Sequence, residues 1–153
     1  MAKSRKPDRV RETPPLYDAG QRTLQFLLDS SIWVEFLRKS PHPARARALA
    51  LMRTRLARLS WVVIGELHHG ARSAEETRMI DELAATVPFL AERQGLWAEA
   101  GRAANRLRKT GRSVGLADCY LGVLARESSA ILITRDRDFE SIGAELKIPV
   151  EIL

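Results

Sequence analysis

The sequence has only one cysteine, Cys119, so no disulfide can form within one chain. A lone thiol fits a reducing compartment, and we expect the protein to act in the cytoplasm. No apolar run approaches the ~18 residues of a membrane-spanning helix, which predicts a protein without a membrane anchor. The basic N-terminus is not followed by an apolar segment, so we expect no signal peptide.

Motifs of several common enzyme classes are also missing. The chain has no glycine-rich phosphate loop and no Ser, His and Asp in an order that would support hydrolysis of that kind. His68 and His69 follow Glu66 closely, but they do not complete a His-Glu-x-x-His zinc motif. These absences direct attention to the acidic residues.

The charge of the chain is unevenly distributed. The 153 residues are 45% hydrophobic and 29% charged, as in a single globular domain, and the net charge is +6. Residues 1–25 contain six basic and three acidic residues and so hold half of this excess. A basic surface favours RNA, DNA or an acidic protein as partner. The surplus of arginine over lysine suits phosphate recognition, although a GC-rich genome gives the same bias.

The first 23 residues differ in character from the remainder. They are polar, contain Pro7, Pro14 and Pro15, and show no hydrophobic period. We therefore predict a disordered basic tail over 1–23 and one folded domain over 24–153.

Hydrophobic periodicity in the folded part predicts strands alternating with helices. Strands are predicted at 26–28, 56–59, 88–90, 130–134 and 150–153, and helices over 32–37, 44–55, 61–70, 74–86, 93–110, 116–126 and 140–142. Ser60 and Ser73 are predicted helix caps, the latter with Glu76 in a capping box. This order predicts an α/β fold of three layers, with a central, mostly parallel sheet flanked by helices.

Four acids stand beside apolar runs at the boundaries of these elements. Asp29 follows Phe26-Leu27-Leu28, Glu66 and Asp118 interrupt apolar helices, and Asp136 follows a buried strand. An ionised carboxylate in apolar surroundings is costly unless it is paired or binds a metal. Because ligand crevices of parallel sheets lie at the carboxyl ends of the strands, we expect the four acids to converge there.

Carboxylates gathered in one place repel each other, and a divalent cation relieves that repulsion. An all-oxygen site suits Mg²⁺ or Mn²⁺, which supply a nucleophilic water and neutralise charge on a phosphoryl group. Asp29, Glu66, Asp118 and Asp136 are therefore the candidate catalytic and metal-binding residues. Two nearby hydroxyls, Ser31 and Thr134, are candidates to hold waters or a phosphate oxygen around them.

Each acid also has an ordinary structural interpretation. Asp29 can cap a helix, Glu66 can pair with Arg72, and Asp118 can favour a helix dipole. The fourth position has two candidates, because Asp138 closely follows Asp136. Phe139 is expected to enter the core, so we predict that Asp138 caps the following short helix and that Asp136 belongs to the site.

These residues resemble the PIN-domain ribonucleases and, within them, the VapC-type toxins. The resemblance lies in four segments in order: Leu27-Leu28-Asp29-Ser30-Ser31, the Ser60-led helix with Glu66-Leu67 and Gly70, Gly115-Leu116-Ala117-Asp118, and Leu132-Ile133-Thr134-Arg135-Asp136-Arg137-Asp138-Phe139. It covers about residues 25–153.

The resemblance implies RNA as substrate, Mg²⁺ or Mn²⁺ as cofactor, a homodimer, and a cognate antitoxin that blocks the site. Toxins of this kind start a few residues before the first Asp, so the tail is an addition. A mistaken start codon or a regulatory segment would explain it.

Three other activities compete with a ribonuclease. A non-catalytic module of the same fold would act through its basic surface or a protein partner, and a DNA nuclease would differ only in substrate. A haloacid-dehalogenase-like phosphotransferase would need a second Asp where Ser31 stands.

Two further groups of side chains have open assignments. Arg102, Arg106, Arg108, Lys109 and Arg112 form either a track for RNA phosphates or a solvated helix face. Trp33, Trp61 and Trp97 are predicted core or dimer contacts, and Cys119 is predicted to be a small buried hydrophobe.

Overall fold

The computed structural model describes residues 23–153, which form four strands and seven helices. In chain order these are β1 (Phe26–Leu28), α1 (Ser30–Leu37), α2 (Pro43–Arg53), β2 (Ala57–Arg58), α3 (Trp61–Gly70), α4 (Ala74–Thr86), α5 (Leu96–Lys109), α6 (Leu116–Ser128), β3 (Ile131–Thr134), α7 (Asp138–Leu146) and β4 (Val150–Ile152).

The strands form one sheet in the order β2-β1-β3-β4, and every neighbouring pair is parallel. Leu27 pairs with Leu132 and Leu28 with Ile133 in the two central strands, and all four side chains are fully buried. A parallel sheet covered on both faces reads as continuous apolar runs, which these two strands show. The predicted α/β fold with a central parallel sheet is confirmed.

Side-chain caps start the first four helices, α1 to α4. Ser60 accepts a hydrogen bond from the Val62 amide at the start of α3, and Ser73 accepts one from the Glu76 amide at the start of α4. Helix α5 begins after Gly95 and has no side-chain cap. Gly95 has a φ of 90°, a conformation that side chains rarely adopt.

Three predicted elements differ in the structure. Residues 88–90 make a single bridge between Phe89 and Leu59 rather than a strand. Helix α5 starts three residues later than predicted because of the turn at Gly95. Helix α7 is longer than the predicted 140–142 and ends where Lys147 takes a left-handed conformation.

The predicted tail lies outside the described residues, apart from Thr23. Gln25 already belongs to the domain, because its carbonyl accepts a hydrogen bond from the Ile131 amide at 2.9 Å. Within residues 23–153, every helix falls short of the length and apolar character that crossing a membrane requires.

Candidate active site

The site lies at the carboxyl edge of the two central strands. Asp29 follows β1 directly, and its amide donates to the Ile133 carbonyl of β3 at 2.9 Å. Thr134 is the last residue of β3. Asp29 and Thr134 are two of the three buried polar residues in residues 23–153. The pairing of β1 with β3 therefore brings together two polar groups that are 105 positions apart in the sequence.

Asp29 is buried, and hydrogen bonds hold its carboxylate from several directions. Oδ1 accepts from the Ser30 amide at 2.7 Å and lies 3.4 Å from the Ser30 hydroxyl. Oδ2 accepts from the hydroxyls of Ser31 at 2.8 Å and Thr134 at 2.9 Å. These donors compensate the loss of water around a buried carboxylate and fix its orientation.

Ser31 and Thr134, the candidates to hold a water or a phosphate oxygen, donate their hydroxyls to Asp29 in the structure. Each hydroxyl oxygen in turn accepts from the backbone: Ser31 from the Arg135 amide at 3.1 Å, and Thr134 from the Asp136 amide at 3.0 Å. The two hydroxyls therefore tie the turn after β3 to the carboxylate after β1. This turn carries the fourth candidate acid.

Glu66 comes from the middle of α3 and is half-buried. Burial raises the pKa of its carboxyl group, the Ser30 hydroxyl opposes this shift through a hydrogen bond, and repulsion from Asp29 adds to it. Its Oε2 atom is buried and accepts no hydrogen bond from any described residue. A buried carboxylate oxygen without a donor is costly, which marks this position as one that is suited to bind a cation.

Asp118 lies in the first turn of α6. Burial, followed by repulsion from Asp29, Glu66, Asp136 and Asp138, raises its pKa to about 6. The negative charges of all the other carboxylates of the site thus contribute to the raised pKa of Asp118. The carboxyl edge of the sheet therefore gathers the acids that the sequence singled out.

Gly115 makes room for the Asp118 carboxylate. A Cβ atom at position 115 would lie 2.7 Å from Asp118 Oδ2, which is closer than such contacts occur in proteins. The backbone of Gly115 has φ −65° and ψ 143°, which any residue adopts, so space and not conformation favours glycine there. No role was predicted for this residue, although a glycine three positions before a candidate acid at a helix start is a usable signal.

The two acids of the turn after β3 are not arranged as predicted. Asp138 was expected to cap the short helix, but it is the first residue of α7, and Arg137 occupies the cap position. It is Asp136 whose Oδ1 accepts from the Asp138 amide, at 2.9 Å. The prediction that Asp138 is the cap was wrong because the helix begins two residues earlier than expected. Both side chains are exposed.

The structure confirms one of the structural roles considered for the other acids and contradicts another. Asp29 does cap α1, through its bond from the Ser30 amide. Glu66 has no ion pair with Arg72, whose amide donates to Glu76 at 2.6 Å. His68 pairs with Asp81 at 3.1 Å, away from the acids.

Arg135 is a second residue of this edge for which no role was predicted. Its amide donates to Ser31, and its guanidinium pairs with Glu35 on α1. A hydrogen bond from the Ser40 side chain, and to a smaller extent the charge of Arg135, lowers the pKa of Glu35. Arg135 therefore contributes a cation to this edge, and Glu35 neutralises its charge.

The acids are close enough to repel each other but do not form a finished set of ligands. Within the part of the chain that the structure describes, no three His, Cys, Asp or Glu side chains are grouped so as to hold a metal ion. Mg²⁺ is commonly held by only one or two carboxylates and retains several waters. The unpartnered oxygen of Glu66 and the raised pKa of Asp118 are what such an ion would relieve.

Comparison with known proteins identifies the same segments. A family model described as the PIN domain matches residues 26–145. Ribonuclease VapC11 of Mycobacterium tuberculosis is 30% identical over 123 residues, which cover 76% of this chain and 90% of that protein. Ribonuclease VapC1 of Haemophilus influenzae is 26% identical over 122 residues, which cover 76% and 91%.

Solved structures share the fold. VapBC2 of Rickettsia felis, bound to a DNA fragment from its promoter, matches with a TM-score of 0.69 and 18% identity, covering 85% of this chain and 99% of that one. DNA-bound VapBC of Salmonella typhimurium matches with a TM-score of 0.69 and 21% identity, covering 85% and 98%. The matched segment contains all four candidate acids on the fold that these structures share, and the chain belongs to the PIN-domain family.

Proposed function

We propose that this protein is a metal-dependent endoribonuclease and the toxin of a toxin–antitoxin pair. The observation that carries the proposal is the gathering of Asp29, Glu66, Asp118 and Asp136 at one edge of the sheet in a PIN domain. The relatives named as VapC ribonucleases support RNA as the substrate class.

Mg²⁺ or Mn²⁺ fits the donor set, which contains only oxygen atoms. Asp29, Glu66, Asp118 and Asp136 are the candidate ligands. One or two of these carboxylates would bind the ion directly, and the others would hold the waters that the ion retains. When bound, the ion would supply an activated water for in-line attack on the phosphorus and would neutralise charge on the phosphoryl group. The P–O3′ bond would break, which gives a 5′-phosphate and a 3′-hydroxyl.

The protein's own contribution is to position the carboxylates before substrate binds. Asp29 is oriented by the hydroxyls of Ser31 and Thr134, so little reorganisation is needed when charge develops. Glu66 keeps one buried oxygen without a donor, and Gly115 leaves room for the Asp118 carboxylate. The exposed cations of α5 and the following turn, among them Arg102 and Arg108, would then guide RNA phosphates.

We also propose that a cognate antitoxin inhibits the enzyme, as the VapBC complexes among the structural neighbours suggest. An apolar groove of about 320 Å³ opens beside the site, with Ser30 and Glu66 in its lining. A partner segment in this groove would lie against Glu66 and obstruct the site. The pair would act in the cytoplasm, which the single cysteine fits.

The decisive experiment is RNA cleavage by the purified chain with Mg²⁺ or Mn²⁺, with EDTA, and by Asp118→Asn. We expect cleavage only with the metal, and a loss of at least about tenfold in the variant. Undiminished cleavage in EDTA, with contaminating nuclease excluded, would remove the metal mechanism. RNA binding without cleavage by the wild type under any metal condition would favour the non-catalytic module, and equal cleavage of DNA would favour the DNA nuclease.

The toxin assignment has its own test. A small neighbouring reading frame with a DNA-binding N-terminus is expected, and its product should co-purify with this chain and suppress cleavage. A product that binds without reducing cleavage would count against inhibition of the site.

A further inference from the structure

Glu92 lies in the loop between α4 and α5 and joins two helices of the site. Its Oε1 atom accepts a hydrogen bond from the Trp61 amide at 3.0 Å, and its Oε2 atom accepts one from the Tyr120 hydroxyl at 2.6 Å. Trp61 is the first residue of α3, which carries Glu66, and Tyr120 lies on α6, which carries Asp118. One carboxylate outside the site therefore connects the helices of two candidate ligands.

The loop that carries Glu92 is itself fixed to the domain. The Leu59 amide donates to the Pro88 carbonyl, and the Leu90 amide donates to the Leu59 carbonyl, both at 2.9 Å. Leu59 and Leu90 are buried, and Leu59 lies two residues before the start of α3. The Glu92 carboxylate is therefore held close to α3 by the backbone as well as by its own hydrogen bond.

At the start of α3, Glu92 accepts a hydrogen bond from an amide that the helix itself leaves without a partner. The Ser60 hydroxyl accepts from the next amide, that of Val62, at 3.1 Å. A negative charge at the N-terminus of a helix is also favourable to the helix dipole. Glu66 lies roughly one and a half turns further along α3, and its Oε2 atom accepts no hydrogen bond from any described residue. The placement of α3 therefore governs where that oxygen lies.

On α6, Tyr120 and Asp118 point to different sides of the helix. They are two residues apart, which corresponds to a rotation of about 200° around the helix axis. Tyr120 is buried, and its hydrogen bond to a carboxylate is stronger than one between neutral groups. Gly115, at the N-cap of α6, makes no side-chain cap. The bond from Tyr120 therefore fixes the first turns of α6 from the side away from Asp118.

The two connected helices carry charges that repel each other. Repulsion from Glu66 contributes to the raised pKa of Asp118, and Asp29 repels both of these carboxylates. Without a cation, this repulsion favours a larger separation between the acids of α3 and α6. A hydrogen-bonded connection between the two helices opposes that separation.

We propose that Glu92 is a positioning residue, which holds α3 and α6 at the spacing at which Glu66 and Asp118 act on the same divalent ion or its waters. The inference rests on the proposed function, because Glu92 acts only through two acids of that site. Groups that orient metal ligands without binding the metal typically change metal affinity or activity by about 10- to 100-fold when they are mutated.

The first test measures Mn²⁺ affinity of the full chain by isothermal titration calorimetry, and RNA cleavage beside it. Glu92→Ala should weaken Mn²⁺ binding and lower kcat at least about tenfold. The KM for RNA should change little, because Glu92 acts through the metal site and not on the substrate.

Three further variants separate positioning from a general effect of charge. Glu92→Gln should recover most of the loss, because its carbonyl can accept from the Trp61 amide and its NH2 group can donate to the Tyr120 oxygen. Tyr120→Phe should show a smaller loss in the same direction as Glu92→Ala. Glu127→Gln is the matched control, since it removes an exposed ion pair with Arg93 on the same surface and should retain wild-type affinity.

The second test needs neither metal nor RNA. Amide hydrogen exchange in chelator should become faster in Glu92→Ala at the Trp61 amide and also in the first turns of α6. Tyr120→Phe should accelerate exchange mainly in α6. A residue that only caps α3 would leave exchange in α6 unchanged.

The inference would be overturned by wild-type Mn²⁺ affinity in Glu92→Ala, by faster exchange confined to α3, or by an equal loss in Glu127→Gln. If Glu92→Ala does not fold, Tyr120→Phe decides by the same measurements, because it removes a single hydroxyl. A wild type that neither binds Mn²⁺ nor cleaves RNA would refute the proposed function. The exchange comparison would then still decide whether Glu92 couples the two helices.

Discussion

At the scale of single residues, the molecule concentrates its buried polar groups in the site. Asp29 and Thr134 are buried, and the hydroxyl of Thr134 both donates to Asp29 and accepts from the Asp136 amide. Loss of this hydroxyl would leave a buried carboxylate oxygen with one donor fewer and an amide without an acceptor. Thr134 is therefore expected to matter for stability as well as for the site.

Thr134→Val should lower the free energy of unfolding by about 1–3 kcal/mol, because it leaves hydrogen-bonding groups unpaired in a buried position. Thr134→Ser should largely preserve stability, since it keeps the hydroxyl. Thr54→Val is the control: Thr54 is exposed and its hydroxyl bonds only backbone carbonyls of α2, so its change should stay within about 0.5 kcal/mol. Urea unfolding measures all three, and equal losses for Thr54→Val and Thr134→Val would contradict the prediction.

Asp118 should give the metal-free protein an unusual dependence on pH. Its pKa in the folded state, about 6, exceeds the value of 3.8 for an unperturbed carboxyl group, so the folded state binds its proton more tightly. Its unfavourable contribution is complete above the folded pKa and is relieved as the pH falls through it. Asp118→Asn should therefore stabilise the metal-free protein near neutral pH and flatten the rise in stability between about pH 7 and pH 4.

The difference between wild type and Asp118→Asn must be compared across pH, because Glu35 and Glu99 have lowered pKa values and act in the opposite sense. Asp29→Asn is not expected to stabilise the protein. Both carboxylate oxygens of Asp29 accept hydrogen bonds, so the NH2 group of Asn would face either the Ser30 amide or the hydroxyls of Ser31 and Thr134, which are donors themselves. Chemical unfolding in chelator at several pH values measures these effects. A pH-independent difference would show that Asp118 titrates normally.

The fourth acid can be assigned by a pair of amide variants. Asp136→Asn should reduce cleavage at least about tenfold while changing stability little, because Asn still offers an oxygen to the Asp138 amide. Asp138→Asn should leave cleavage nearly intact, since repulsion from Asp136 contributes more than repulsion from Asp138 to the raised pKa of Asp118. The opposite pattern would assign Asp138 to the site.

At the scale of elements, apolar runs and capping residues predicted most of the fold. The runs at Phe26–Leu28 and Ile131–Thr134 became the central strands, and Ser60 and Ser73 start the helices where expected. The 88–90 segment has an apolar pattern too, but only one bridge to Leu59 holds it, and such pairing depends on tertiary contacts. The acids were found because carboxylates beside apolar runs are costly. Gly115 was missed although its place three positions before Asp118 is a signal in the sequence, because the steric reason for a glycine there depends on where the Asp118 carboxylate lies.

The packing of α6 against α7 requires a glycine at position 122. A Cβ atom there would lie 2.6 Å from Ile142 Cγ2 and 2.8 Å from Leu146 Cδ1. Gly122→Ala should therefore destabilise the protein by about 1–3 kcal/mol through overpacking. Gly101→Ala on α5 is the matched control, since a Cβ atom there would meet nothing within 4 Å. That control should be neutral or stabilising by up to about 1 kcal/mol, and thermal unfolding that ranks the pair in reverse would contradict this packing.

At the scale of the whole molecule, half of the net positive charge lies in a segment that precedes the folded domain. Residues 1–22 carry six basic and three acidic residues, which is half of the net charge of +6. The match to the structure from Rickettsia felis covers 85% of this chain and 99% of that one. The shared fold therefore does not require the whole sequence. The two parts can therefore be tested separately.

Deletion of residues 1–22 should leave the melting temperature unchanged, because they lack an apolar period and the domain already includes Gln25.

The same deletion should make RNA binding less dependent on salt concentration, because about 0.7 counterions are released per phosphate contact on a single strand. Removing a net charge of +3 should therefore lower the slope of log affinity against log salt by up to about 2. Binding is measured with both chains carrying Asp118→Asn, so that RNA stays intact. A tail with neutralised Lys3, Arg5 and Lys6 should reproduce part of the loss, and a melting temperature lowered by many degrees would show that the domain starts earlier than residue 23.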